Sequence, residues 1–340
     1  MLCWLPLQAL AQGFAGLGTN ADGYAIPERD YRLSFPQDHG PHPDFRIEWW
    51  YLTANLQDRD GTPYGIQWTL FRSALQPGEA EGWRSPQLWM AHAGLTSATR
   101  HFSAERLARG GIGQAGVTTA TFSAWIDDWH MTAPDATLNR LKLSATDAAF
   151  AYDLTLTAEG PLILHGAQGY SVKSREGQAS YYYSQPRYTL SGTVTLEGQV
   201  IPVTGQAWLD REWSSQPLSS GQSGWDWFSL SLDSGAKLMG FRLRDDAGDF
   251  TSGTWITPDG QATALPPGAF QARPLEVQTV DGTEVPTRWE VRLPDRDLAV
   301  EVTPLNPDSW MDVSFAYWEG PVQVTGTHQG VGYLEMTGYR

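Results

Sequence analysis

The feature that most limits what this chain can become is a pattern that occurs twice. Glu48–Arg72 reads EWWYLTANLQDRDGTPYGIQWTLFR, and Trp225–Arg244 reads WDWFSLSLDSGAKLMGFRLR. Each has an aromatic pair, an alternating strand, a turn built on Asp-Gly or Ser-Gly, and a second strand that ends in arginine. A second echo joins EGPLILHGAQGY, from Glu159, to EGPVQVTGTHQGVGY, from Glu319. Two signatures in the same order in each half argue for a duplicated domain rather than one large unit. The expected division is a leader over 1–25, a first unit over 26–200 and a second over 201–340, each large enough to bury a core.

Period-two alternation runs almost throughout, as in Tyr51–Leu56, Gly65–Phe71, Leu138–Ala145, Ala151–Ala158 and Tyr188–Gly198, then Trp227–Asp233, Lys237–Arg244 and Thr287–Pro294. Asp60-Gly61, Ser234-Gly235, Asp259-Gly260 and Asp281-Gly282 are turn pairs suited to tight hairpins. Short strands joined this way predict an all-β protein of antiparallel sheets, barrel or sandwich. A helix is expected only in short pieces, such as Ser103–Ala108. Sixteen Trp, 13 Tyr and 12 Phe suit strands and suit the lining of a cavity. There is no dinucleotide-binding glycine fingerprint after a strand, no phosphate loop and no G-x-S-x-G elbow.

A formal charge of −15 with three lysines excludes the basic surface that nucleic acid requires, and it disfavours anionic lipid. No stretch reaches the roughly 20 apolar residues of a membrane-spanning helix, so a transmembrane protein is not expected. Met1–Gln12 is nearly all apolar and carries small residues at Ala9-Leu10-Ala11, the arrangement of a secretion-signal remnant. Export, to the periplasm for instance, is the expectation. Cys3 is the single cysteine, so no intrachain disulfide forms.

Phe35–Leu56, FPQDHGPHPDFRIEWWYLTANL, followed by GIQWTLFR, resembles the AttH/CrtC-type lipocalin-like proteins, which include the carotenoid 1,2-hydratases (hydroxyneurosporene synthases). Gly205–Leu218, Gly224–Gly235, YWEGPVQVTG and GYLEMTGY resemble the second domain of the same family. The resemblance implies two lipocalin-like antiparallel β-barrels packed together, which agrees with the duplication. It also implies an apolar ligand (a lipid, isoprenoid or polyene), no cofactor, and either of two functions. One is a binding protein accessory to an ABC-type export transporter. The other is a cofactor-free hydratase that adds water to a C=C bond through a shielded carbocation.

The second function needs a carboxylic acid kept neutral in an apolar site and aromatic faces to stabilise the cation. Acids with aromatic neighbours are Glu48, Asp210 and Asp226, with Glu212 beside them. Asp210 is the leading candidate for the acid because it falls on the acid-rich signature. In the hydratases that signature resembles a His-Asp-His-Asn-Trp run, whereas here it reads Leu209-Asp210-Arg211-Glu212-Trp213. Both histidines are lost, and Arg211 is expected to favour an ionised neighbour. The bland reading of Asp210–Arg211–Glu212 is an ion pair or turn at a barrel mouth. Trp49, Trp50, Gln67, His92, Trp208, Trp213, Trp225 and Trp227 are the candidate substrate contacts. Glu48 and Trp50 lie on one strand face, Trp49 and Tyr51 on the other, and the sequence does not tell which face points inward. Asp38-His39-Gly40-Pro41-His42-Pro43-Asp44 holds two histidines and two aspartates, but its glycine and prolines predict a rigid loop across a barrel end rather than a metal site. No serine has a local histidine to form a catalytic triad.

Overall fold

The computed structural model describes residues 21–339; the apolar segment Met1–Gln12 lies outside the described residues. The strands are β1 (Ile47–Gln57), β2 (Pro63–Ala74), β3 (Gln87–Ser97), β4 (His101–Arg109), β5 (Ala115–Thr118), β6 (Ser123–Ile126), β7 (Trp129–Thr132) and β8 (Arg140–Thr146). They continue with β9 (Phe150–Ala158), β10 (Ile163–Leu164), β11 (Tyr170–Val172), β12 (Ala179–Leu196), β13 (Gln199–Ser214), β14 (Gln222–Leu232), β15 (Lys237–Asp245) and β16 (Phe250–Ile256). The last are β17 (Ala262–Leu265), β18 (Gln271–Val280), β19 (Thr283–Leu293), β20 (Leu298–Pro304), β21 (Trp310–Met311), β22 (Tyr317–Gly326) and β23 (Gly330–Met336). The helical turn expected at Ser103–Ala108 is instead part of β4. There Ala104 and Ala108 are buried at period-two positions, so burial by alternation overrides local propensity.

The strands form two antiparallel sheets, and the repeat is visible in their order. The first runs β4-β3-β2-β1-β13-β12-β9-β8-β7-β6-β5, with β10 and β11 added to β12. The second runs β17-β16-β15-β14-β23-β22-β20-β19-β18, with β21 added to β22. In both, four consecutive strands form a meander and the last strand of the unit inserts beside the first. The first sheet curls until β6 meets β2, β3 and β4 across its interior, so it is nearly closed, whereas the second stays an open half-barrel. Two complete barrels are therefore not formed. Residues 201–214, placed in the second unit by the sequence division, belong to β13, whose Thr204–Ser214 pair with the whole of β1. The first sheet thus extends to Ser214, and the second begins at Gln222.

The first repeat has a direct structural meaning. Glu48 sits opposite Arg72 across the β1–β2 hairpin, and Asp226 sits opposite Arg242 across β14–β15. The second echo does not. Glu159–Tyr170 lies off the main sheet path, while the topological counterpart of β22 is β12. Turn chemistry fits where the pattern demanded it: Asp281 and Gly282, between β18 and β19, have φ of 48° and 79°, as a two-residue I′ turn requires.

Each sheet encloses its own core. Trp50, Leu52, Ala54 and Leu56 of β1 point into the first, and Phe228, Leu230 and Leu232 of β14 into the second. A third cluster lies between the outer faces of the two sheets and includes Tyr51, Tyr182, Trp208, Trp227 and Phe241. β1 and β14 are thus buried on both faces, which is why their outward residues are aromatic rather than charged. Tyr51 meets Trp227 edge-on across this seam at 5.2 Å between ring centroids. Gly65 of β2 abuts Pro321 of β22, where an added Cβ would lie 2.4 Å from the proline ring. Among the described residues no helix is long and apolar enough to cross a membrane.

Candidate active site

Alternation along β13 separates two polar systems that are adjacent in sequence. Leu209, Arg211 and Trp213 face the interior of the first sheet, while Trp208, Asp210 and Glu212 face the seam between the sheets. On the interior side, buried Glu48 is held by Arg72 and Arg211 and by His42 Nδ1 at 3.1 Å. His42 Nε2 lies 3.1 Å from Asp38, and His42 stacks flat on Trp213 at 4.0 Å. Arg72 Nη2 also donates to the carbonyls of His42 and Phe45, each at 2.8 Å. Burial acts to raise the Glu48 carboxyl, but Arg72 and Arg211 overcome it and hold it well below the usual range. This is the loop pinned across a barrel end that the Asp38–Asp44 segment predicted. Among the described residues no group of three or more His, Cys, Asp or Glu is arranged to hold a metal.

The seam side holds a cavity of about 150 Å³ walled by both sheets. Trp49, Tyr51, Trp225, Trp227, Phe241 and Tyr317 form its aromatic wall, and Asp210, Glu212 and Glu335 are its acids. Asp210 sits opposite Tyr51 in the β1–β13 ladder. It accepts from Trp208 Nε1 and Tyr182 Oη, each at 2.5 Å, and from Ser184 Oγ. Desolvation pushes its carboxyl up to about 7, against the pull of these three donors. Ser184 also lies 2.6 Å from His165 Nε2, whose Nδ1 meets Thr254 Oγ1 at 2.8 Å. Serine lies between aspartate and histidine here, so the trio is not a nucleophilic triad.

The other two acids are counterparts in the repeat. Glu212 is paired with Trp49 between β13 and β1, and Glu335 with Trp227 between β23 and β14. Their surroundings differ. Glu212 is salt-bridged to buried Lys173 at 2.8 Å and accepts from Ser180. Glu335 has Trp225 Nε1 at 2.6 Å, and desolvation raises its carboxyl to about 8. Burial pushes the Lys173 ammonium down while Glu212 supports it; Lys173 also lies 3.9 Å above the Phe241 ring. Behind this wall Tyr51 donates to Glu319, whose carboxyl is raised well above its ordinary value by desolvation and then by Glu335.

The structure thus gathers Asp210, Trp49, His92, Trp225 and Trp227 on one cavity. Trp208 stands behind Asp210 as a donor, and Gln67 reaches Tyr317 at 3.5 Å without lining the cavity. Glu48, Trp50 and Trp213 face away, into the first sheet. Asp226 faces into the second, bound by Arg242 at 2.9 Å, Arg244 at 2.6 Å and Tyr339 at 2.9 Å. Both acids of the repeat are therefore clamped by arginines, the geometry of a buried structural ion pair. The sequence reading set Arg211 against Asp210 as an acid; alternation removes that objection, since Arg211 binds Glu48 on the opposite face. The same holds for the two missing histidines, whose positions 209 and 211 do not face the cavity. Sequence reasoning missed Glu335, Lys173, Tyr182, Ser184 and His165. Glu335 had a usable signal, an acid two residues after Tyr333 on the same strand face, between Leu334 and Met336, in a largely apolar strand.

Fold and site define the class: a duplicated all-β protein whose two sheets enclose an acid-bearing aromatic cavity at their seam. The chain belongs to the AttH-like family, whose model matches residues 26–339. It is similar to the crystal structure of a candidate AttH from Nitrosomonas europaea, with 33% identity, TM-score 0.82, and coverage of 93% of this chain and 100% of that one. It is also similar to kievitone hydratase from Nectria haematococca (14% identity, TM-score 0.68, 93% and 98% covered) and to CghA with Sch210972 (13%, 0.53, 86% and 88%). At those identities the last two show the fold alone. No curated protein sequence matches the chain.

Proposed function

We propose that this protein is a cofactor-free, hydratase-like enzyme that protonates a C=C bond of an apolar substrate in the seam cavity. The observation that carries the reading is Asp210: a buried carboxyl on an aromatic cavity wall, bound by neutral donors and raised to about 7. Such a group still holds its proton near neutrality, as a general acid must. Asp210 gives that proton to one alkene carbon, the π pair forms the C–H bond, and positive charge develops on the neighbouring carbon. The indoles of Trp49, Trp225 and Trp227 can face that charge. Water then adds to the cation and loses its proton to Glu212, which Lys173 holds in place. The proton on Glu212 then returns to Asp210 through water, so the sum is H and OH across the double bond, with both carboxyls restored and no change in redox state.

A carrier for an apolar ligand would need the same cavity but would gain nothing from acids along its wall, because desolvated carboxyls cost stability. Hand-over to an export transporter and a periplasmic location stay expectations of the resemblance and of the N-terminal segment. The test is incubation of wild type and Asp210→Asn with alkenes that end in a trisubstituted double bond, followed by extraction and mass spectrometry. Products heavier by one water with wild type alone support the enzyme. Alkene recovered bound but unchanged from both proteins would make this a binding protein.

A further inference from the structure

A protonated Asp210 needs an acceptor for its own hydrogen, and the three groups around it are not interchangeable. The indole of Trp208 can only donate, and does so to Oδ1. Tyr182 Oη already receives Trp227 Nε1 at 3.2 Å, and Asp210 Oδ2 is the acceptor it meets, at 2.5 Å, so it too donates. That leaves Ser184, whose Oγ touches two groups, Asp210 Oδ1 and His165 Nε2 at 2.6 Å. A hydroxyl has one hydrogen. Ser184 therefore accepts from Asp210 only when its hydrogen is turned to His165. His165 is fully buried after β10 and stacks on the Tyr182 ring at 4.0 Å. Burial, and then the Lys173 cation, hold its imidazole well below the ordinary value, so the ring is neutral and has one N–H. Its Nδ1 lies 2.8 Å from Thr254 Oγ1, on β16 of the second sheet. A four-member chain thus runs from the acid across the seam.

We infer that His165 is the positioning residue of the acid: with its hydrogen on Nδ1 and given to Thr254, its bare Nε2 takes the Ser184 hydrogen and frees the Ser184 oxygen to receive the proton of Asp210. This rests on the proposed function and adds where the acid's proton is kept. His165 does not line the cavity, so it acts only through Ser184. When Asp210 has given up its proton, Ser184 turns its hydrogen back to the carboxylate, which then has three donors. At equilibrium the ring follows, with its hydrogen on Nε2 facing Ser184 and Thr254 donating to Nδ1. The imidazole has one hydrogen in both forms, so it neither gains nor loses a proton. The charged and titratable groups nearby are Glu212 and Lys173, paired at 2.8 Å, and Glu335, which keeps its proton up to about 8. Tyr51, opposite Asp210 on β1, donates to Glu319 instead.

The test is nitrogen NMR of the full protein labelled at its seven histidines, with the His165 signals assigned by their loss in His165→Gln. Couplings to the ring carbon protons tell an Nδ1–H ring from an Nε2–H ring. His165 should be Nδ1–H at about pH 6 and Nε2–H above about pH 8, with a midpoint near 7 that matches the loss of the Asp210 carboxyl C=O infrared band. Asp210→Asn should abolish the change. His165→Phe keeps a ring against Tyr182 but accepts nothing, so Ser184 must donate to Asp210. The midpoint of the Asp210 band should then fall by about one pH unit, and His165→Gln, whose amide oxygen can accept, should restore most of it. A wild-type tautomer that does not change with pH would overturn the positioning role while leaving the acid intact. So would a folded His165→Phe protein with an unmoved midpoint; if that variant does not fold, the wild-type tautomer decides alone. Absence of the Asp210 band from wild type would remove the proposed function itself.

Discussion

Replacing Asp210 by Asn should make the protein more stable at neutral and alkaline pH while removing its activity. Folded Asp210 keeps its proton up to about 7, whereas an unfolded aspartate releases it near 3.8. Between those values the folded state holds the extra proton, so stability falls as pH rises and levels off above about 7. The gap, at about 1.4 kcal/mol per pH unit, comes to about 4 kcal/mol. Asn has the same shape and no charge to desolvate. Its amide oxygen can accept from Trp208 and Ser184, and Tyr182 can turn to accept from its NH2. The stability difference between Asp210→Asn and wild type should therefore move by about 4 kcal/mol in the variant's favour between about pH 4 and about pH 8. Urea denaturation of both proteins across that range measures it directly. A difference that stays flat with pH, or a variant that loses stability as pH rises, would mean that Asp210 is an ordinary structural carboxylate.

Three further outcomes follow from the same geometry. Glu48→Gln leaves Arg72 and Arg211 buried without their carboxylate and should cost about 3–5 kcal/mol by denaturant midpoint, with little change in ligand binding because Glu48 faces away from the cavity. Since the Glu48 carboxyl is held below its ordinary value, its stabilisation is present above about pH 4.5 and lost as pH falls, so the cost should shrink in acid. Lys173→Met strands Glu212 without its cation and should lower kcat far more than it raises KM; unchanged kcat would remove Glu212 from the water-activating role. Trp227→Leu keeps apolar bulk but removes one cation-facing indole and should lower kcat about 10- to 30-fold, the equivalent of about 2 kcal/mol of cation–π stabilisation, while affinity for an uncharged alkene changes little.

The sequence made the β class, the duplication and the outline of the site legible for a simple reason. Alternation and hairpin turns are local, and the repeat of acid, aromatic pair and terminal arginine turned out to mark equivalent hairpins whose outer faces meet. What alternation alone could not supply was the direction of each face. Strands such as β1 and β13 are buried on both sides, so Glu48 and Asp210 look alike in sequence, yet one is locked by two arginines and the other opens on the cavity. Lys173 and His165 come from the irregular stretches around β10 and β11, and Ser184 meets Asp210 only through the register of the long β12–β13 hairpin. Only tertiary pairing brings them to Glu212 and Asp210. β13 reads as the start of a new unit in sequence, whereas in space it completes the first sheet beside β1.

Whether Asp210 holds a proton at neutral pH is read by pH-difference infrared spectroscopy of the apo protein, comparing wild type with Asp210→Asn. A protonated carboxyl absorbs as a C=O group, well separated from carboxylate bands. Wild type should show a C=O band at about pH 6 that is absent from the variant and disappears with a midpoint near 7. Identical wild-type and variant spectra through this range would show Asp210 already ionised, and would take the acid, and the enzyme built on it, out of the cavity.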